Sequence, residues 1–132
     1  MKRIFSLFLS SLLIISLVSC TRISIESKSD ATLRFKDPNK NDAVEISQVL
    51  TEEEADEVKS ILKGATYLKA GAGCPFNGEE CAIVIGHQIF AIATDDCHTI
   101  HDVNEDKHYK IKDDEDWQYI VSLFEKYVGY SI

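Results

Sequence analysis

The sequence predicts an α+β fold: a small antiparallel sheet of about five to six strands, with two amphipathic helices, about 52–63 and 114–127, packed on one face. Three observations predict it. Short segments alternate apolar with polar residues, the period of a strand that is buried on one side. Two longer stretches repeat their apolar residues at helical spacing, each behind a capping residue. The elements also run strands, helix, strands, helix, without the regular strand–helix alternation of a parallel sheet.

Thr21 to Asp30 is polar, with a weak alternation at Ile23 and Ile25, and reads as a tether or a short edge strand. Thr32-Leu33-Arg34-Phe35 and Ala43-Val44-Glu45-Ile46 alternate on either side of the turn cluster Asp37-Pro38-Asn39-Lys40-Asn41-Asp42, so they read as a hairpin with a long loop. Thr51-Glu52-Glu53-Glu54 fits a capping box, in which the Thr51 hydroxyl accepts a first-turn N–H and Glu54 reaches back. Behind it Ala55, Val58, Ile61 and Leu62 share one helical face, and Gly64 supplies a stop. Ala65 to Lys69 is a short strand, and Gly71 to Gly78 a loop by composition.

Cys81 to Ile85 and Gln88 to Thr94 flank Gly86-His87, a two-residue hairpin turn with glycine first. Tyr109-Lys110-Ile111 is a further strand. Asp113 then caps a helix whose Trp117, Ile120, Val121, Phe124 and Tyr127 form one stripe ending at Gly129. Those aromatic residues are what a small domain needs to build a core.

The hairpin register also tests the cysteines. With Ile85 opposite Gln88, Ile83 faces Phe90 and Cys81 faces Ile92, and extrapolation sets Cys97 opposite Phe76, close to Cys74. Cys81 is then roughly 17 Å from Cys97 at the rise of a strand, far beyond disulfide reach. The expected bridge is Cys74–Cys97, with Cys81 a buried free thiol. A Cys74–Cys81 bridge stays open on sterics, because proline and glycine lie among the residues between them.

The chain opens Met1-Lys2-Arg3 and runs from Ile4 to Val18 with nothing more polar than serine, which is a signal-peptide layout. That apolar run is short of the roughly twenty residues that span a bilayer as a helix. It ends Leu17-Val18-Ser19-Cys20, which resembles the bacterial lipobox. The resemblance covers residues 1–20 only. It implies that 1–19 is a cleaved signal and that Cys20 receives a diacylglyceryl group, with acyl chains such as palmitate holding the protein to a membrane of the cell envelope on its extracytoplasmic side. Two chains anchor stably where one is marginal. Residues 20–30 then form the lipidated N-terminus, and 31–132 a single α+β domain.

Charge narrows the partners. The chain carries a net −8, and loss of Lys2 and Arg3 with the signal takes it to about −10. Phosphate backbones repel such a surface, so nucleic acid is excluded as a partner. Anionic lipid is also repelled, which leaves the acyl chains as the membrane contact. An exported domain is where a disulfide persists.

The sequence carries few of the motifs of catalytic chemistry. There is no Gly-x-Ser-x-Gly elbow, no His-Glu-x-x-His helix and no Cys-x-x-Cys pair. Gly71-Ala72-Gly73 lacks the lysine and hydroxyl of a phosphate loop. The carboxylate clusters at Glu52 to Glu54, Glu79-Glu80 and Asp113 to Asp116 sit where capping and solvation explain them. The run Asp95 to Asp102 offers His98, His101 and Asp95 as ligands for zinc or another transition metal, with His108 further on. An exposed polar loop accounts for the same residues. Pro75-Phe76 is a candidate contact point on the bridged loop. The expected function is therefore a non-catalytic binding or interaction module for a protein or small-molecule partner, without a cofactor. The alternative is a metal-binding envelope protein that uses the 95–102 cluster.

Overall fold

The computed structural model describes residues 22–37, 40–74, 76, 81–129 and 132. The signal sequence and Cys20 lie outside the described residues. Among the described residues the chain builds one seven-stranded antiparallel sheet and two helices, an α+β architecture with more strands than the five to six expected. In chain order the elements are β1 (Ala31–Phe35), β2 (Ile46–Val49), α1 (Glu52–Gly64), β3 (Thr66–Tyr67), β4 (Cys81–Ile85), β5 (Gln88–Ile92), β6 (Thr99–Asp102), β7 (Lys107–Lys110) and α2 (Asp114–Val128). The strands lie in the order β2-β1-β4-β5-β6-β7-β3.

Alternation sets the two faces. Leu33, Ile83 and Phe90 stand in one cross-strand row, and Ile92, Ile100 and Tyr109 in another. These residues join Val58, Ile61 and Leu62 of α1 and Trp117, Ile120 and Phe124 of α2 in a single buried cluster. Both helices therefore share the inner face. The outer face carries the row Arg34, Ala82, Ala91, His101, His108.

The helix ends follow the sequence signals. Thr51 accepts from the Glu54 N–H while the Glu54 carboxylate accepts from the Thr51 N–H, so the capping box is complete. Asp113 accepts from the Glu115 N–H, and Gly129 closes α2 in the left-handed conformation with φ 66°. Gly64 behaves differently from its expected role as a stop: it is the last residue of α1, and Ala65 turns the chain in an extended conformation.

The β4–β5 hairpin has the register read from the sequence, with Ile85 opposite Gln88 and Ile83 opposite Phe90. Gly86 takes φ 58°, and a side chain there would run into the Glu26 carboxylate and the Ser29 hydroxyl. Glu26 and Ser29 belong to an N-terminal segment that is neither strand nor free tether. Ile23 is buried in the core, and Gln88 clamps the segment by accepting from the Glu26 N–H and donating to the Ser24 carbonyl.

Two further segments differ from expectation. The second strand of the first hairpin is Ile46–Val49 in place of 43–46, because Phe35 pairs with Ile46 and the loop takes up Ala43 to Glu45. The stretch expected as an exposed polar loop contains β6, whose Ile100 is buried on the inner face and whose Asp102 is buried too. Asp102 accepts from the Asn104 and Glu105 N–H groups, which folds the β6–β7 turn.

Candidate functional site

Among the described residues the three cysteines form one bridge and one buried thiol. Cys74 and Cys97 form a disulfide with α-carbons 6.3 Å apart, the pairing expected from the hairpin register, and Cys81 is free and buried. Burial pushes the Cys81 thiol up to about 12, so its nucleophilic thiolate form is suppressed.

The expected metal set of His98, His101 and Asp95 does not assemble. His98 stacks on Trp117 at 5.0 Å and stands 3.6 Å from Asp114 at the start of α2. His101 lies on the outer face, 4.3 Å from His108 between ring centroids. The reason is local backbone: His101 lies within β6, whereas His98 precedes the strand in a left-handed conformation with φ 54°, so strand alternation does not relate the two rings. Asp95 is occupied in the turn, where it accepts from the Cys97 N–H at 3.0 Å and lies beside Cys97 Sγ. Among the described residues, the three potential metal-ligating residues that converge are Cys74, Asp95 and Cys97, and there both sulfurs are held in the disulfide.

The structure does bring together residues that sequence reasoning left apart. His101 and His108 sit directly opposite each other on β6 and β7, with rings stacked to within 8°. Phe76 rests against both, at 5.7 Å and 5.4 Å. Its role as a contact point is thus an internal one, and Pro75 lies outside the described residues. Asp106 sets Oδ1 at 3.0 Å from His101 Nε2. Burial first, and then the neighbouring His101, lowers the His108 pKa below the usual imidazole value. The signal for this pair was a hairpin whose turn, Val103 to Asp106, has Asp106 where glycine is usual, at φ 52°.

The second feature is the edge of β2, which among the described residues pairs on one side only, with β1. Val44, Ile46 and Val49 are the exposed large apolar residues among those described, at 82, 44 and 57 per cent. The Leu50 N–H bonds the Ala31 carbonyl, so alternation turns the backbone groups of Gln48 and Ile46 toward β1 and those of Ser47 and Val49 outward. The outward Val49 carbonyl is covered by the amide of Gln48, at 2.8 Å. The strand itself carries no charge, proline or glycine. The opposite edge of the sheet, β3, has only two residues, which is one of the ordinary ways of blunting an edge. Immediately beyond β2, Thr51, Glu52, Glu53, Asp56 and Glu57 line a shallow acidic depression on α1.

No helix among the described residues is long and apolar enough to cross a membrane. Comparison with known families, curated proteins and solved structures finds no match.

Proposed function

We propose that this chain is a lipid-anchored protein of the bacterial cell envelope whose extracytoplasmic domain is a non-catalytic binding module. Its anchor is Cys20, modified after removal of residues 1–19, and its ligand is an extended, basic segment of a partner protein that adds a strand to the free edge of β2. The lipobox-type residues Leu17-Val18-Ser19-Cys20 support the anchor, and the Cys74–Cys97 disulfide suits an oxidising compartment.

The observation that carries the binding reading is the uncharged edge strand Ile46–Val49, whose Ile46 and Val49 are exposed, and which leads directly into the acidic first turns of α1. Strand addition draws affinity from backbone hydrogen bonds and selectivity from alternate side chains. The carboxylates of Glu52, Glu53, Asp56 and Glu57 select lysine or arginine at one end of the added segment. A second copy of this chain fits less well, since two bodies of net negative charge repel. A catalytic reading has little chemistry to use: two of the domain's thiols are bridged and the third is buried with its pKa raised.

The test uses a synthetic peptide of alternating valine and threonine with two lysines at one end, titrated against the full chain in detergent. Binding that is lost when glutamates replace the lysines, and lost in Ser47→Pro, supports the reading. Ser47→Pro removes an outward N–H while the β1 bonds remain. Binding that is indifferent to both changes, or self-association of the chain through this edge, overturns it.

A further inference from the structure

We propose that His101, His108 and Asp106 form a binding site for a divalent late transition metal, of the copper, nickel and zinc class, on the outer face of the β6–β7 hairpin. This donor set is separate from the His98, His101 and Asp95 combination that the fold pulls apart.

The hairpin supplies the geometry. His101 and His108 are direct cross-strand partners on one face, so their β-carbons stand within about 5.5 Å and both imidazoles rise from the same side. Their rings already lie 4.3 Å apart. Asp106 reaches the same place from the turn, with Oδ1 3.0 Å from His101 Nε2. Two ligands bonded at about 2.1 Å to a tetrahedral ion stand about 3.4 Å apart, so this nitrogen and oxygen are near the spacing a metal imposes.

The parallel stack is not itself a chelate, because the lone pairs of parallel rings run side by side. As they stand, His101, His108 and Asp106 do not bring one donor atom each to within 4.8 Å of one another, and binding requires His108 to turn about its Cβ–Cγ bond so that a nitrogen faces the His101–Asp106 edge. The ion then takes the place of the hydrogen between His101 Nε2 and the carboxylate: a neutral His101 carries its one proton on Nδ1 instead, and an imidazolium releases the Nε2 proton to solvent and keeps the one on Nδ1.

The frame that holds the donors is firm. Asp102 fixes the turn through the Asn104 and Glu105 N–H groups, and Asn104 ties it to β5 through the Ile89 N–H at 2.8 Å and the His87 carbonyl at 3.1 Å. Phe76 walls one side of the imidazoles with an apolar ring, while the His101 side chain keeps 23 per cent of its surface open. Imidazole and carboxylate together suit this metal class better than calcium or magnesium, which take all-oxygen sites. Three protein donors leave a fourth position for water or an outside ligand.

The experiment takes the full chain without a histidine tag and titrates it with Zn²⁺ and Ni²⁺ by calorimetry, and with Cu²⁺ by electron paramagnetic resonance. The expected result is one ion per chain, a copper spectrum split by two imidazole nitrogens, and affinity weakened at least ~10-fold in each of His101→Gln and His108→Gln. His87→Gln and His98→Gln should bind as the unaltered chain does. The copper spectrum of the unaltered chain stands whether or not a variant folds. A spectrum without two nitrogen ligands, no uptake of any of the three ions, or uptake unchanged in both His101→Gln and His108→Gln would overturn the site.

Discussion

Glu54 of α1 accepts a hydrogen bond from Lys126 of α2 at 2.7 Å, and the same carboxylate accepts from the Tyr127 hydroxyl at 2.8 Å while it closes the capping box at Thr51. One side chain thus caps its own helix and ties the two helices together. Lys126, the largest influence, and then Thr51 and Tyr127, hold the Glu54 carboxyl at about 2 against the opposing effect of burial. The folded chain therefore binds fewer protons here than the unfolded chain, whose carboxyl titrates near 4.5. This contribution to stability is complete above about pH 4.5 and is lost as the pH falls toward 2. Lys126 is well exposed, so water screens the pair, and Glu54→Ala should cost roughly 1–3 kcal/mol at pH 7. Urea unfolding from pH 7 down to pH 3 checks this: the unaltered chain should lose stability more steeply than Glu54→Gln, and equal slopes would refute the assignment.

The disulfide and the buried thiol should separate by reactivity. Reducing Cys74–Cys97 opens a loop spanning 23 positions and should lower stability by roughly 3 kcal/mol. Cys81 is only 3 per cent exposed, so it should stay inert to thiol reagents in the native protein and react on unfolding. Mass mapping of a non-reduced digest should show a peptide joining Cys74 to Cys97. A peptide joining Cys74 to Cys81 would contradict the fold at the β4 end.

Two glycines should respond with opposite sign. Gly86→Ala places a methyl group against Glu26 and Ser29 in a left-handed backbone, and should destabilise by more than about 1 kcal/mol. Gly64 ends α1 with open space around it and without positive φ, so Gly64→Ala should be neutral or stabilise by up to about 1 kcal/mol. Thermal unfolding of the two variants against the parent decides both.

Where a local rule and the tertiary structure agree, the sequence was legible. Thr51 and Glu54 announce α1, Asp113 and Gly129 bracket α2, and Gly86 fixes the β4–β5 register from which the Cys74–Cys97 pairing follows. The β6–β7 hairpin was hidden because its outer face carries imidazoles, so Thr99 to Asp102 shows one apolar residue, Ile100, and Lys107 to Lys110 shows Tyr109 alone. Its turn is shaped by Asp102 and Asn104 side chains in place of a glycine. The position of β2 was misread because an edge strand with neither face buried leaves no alternation to count: Val44 is apolar yet lies in the loop. The cross-strand His101–His108 pair could be found only once that second hairpin had a register.

Amide hydrogen exchange reads the β2 binding edge directly. With the lysine-ended valine–threonine peptide bound, the Ser47 and Val49 amides, which turn away from β1, should become protected, while those of Gln48 and Leu50 change little because they already bond to it. Peptide binding that leaves the exchange of Ser47 and Val49 unaltered, or that protects another part of the sheet, would contradict strand addition at β2.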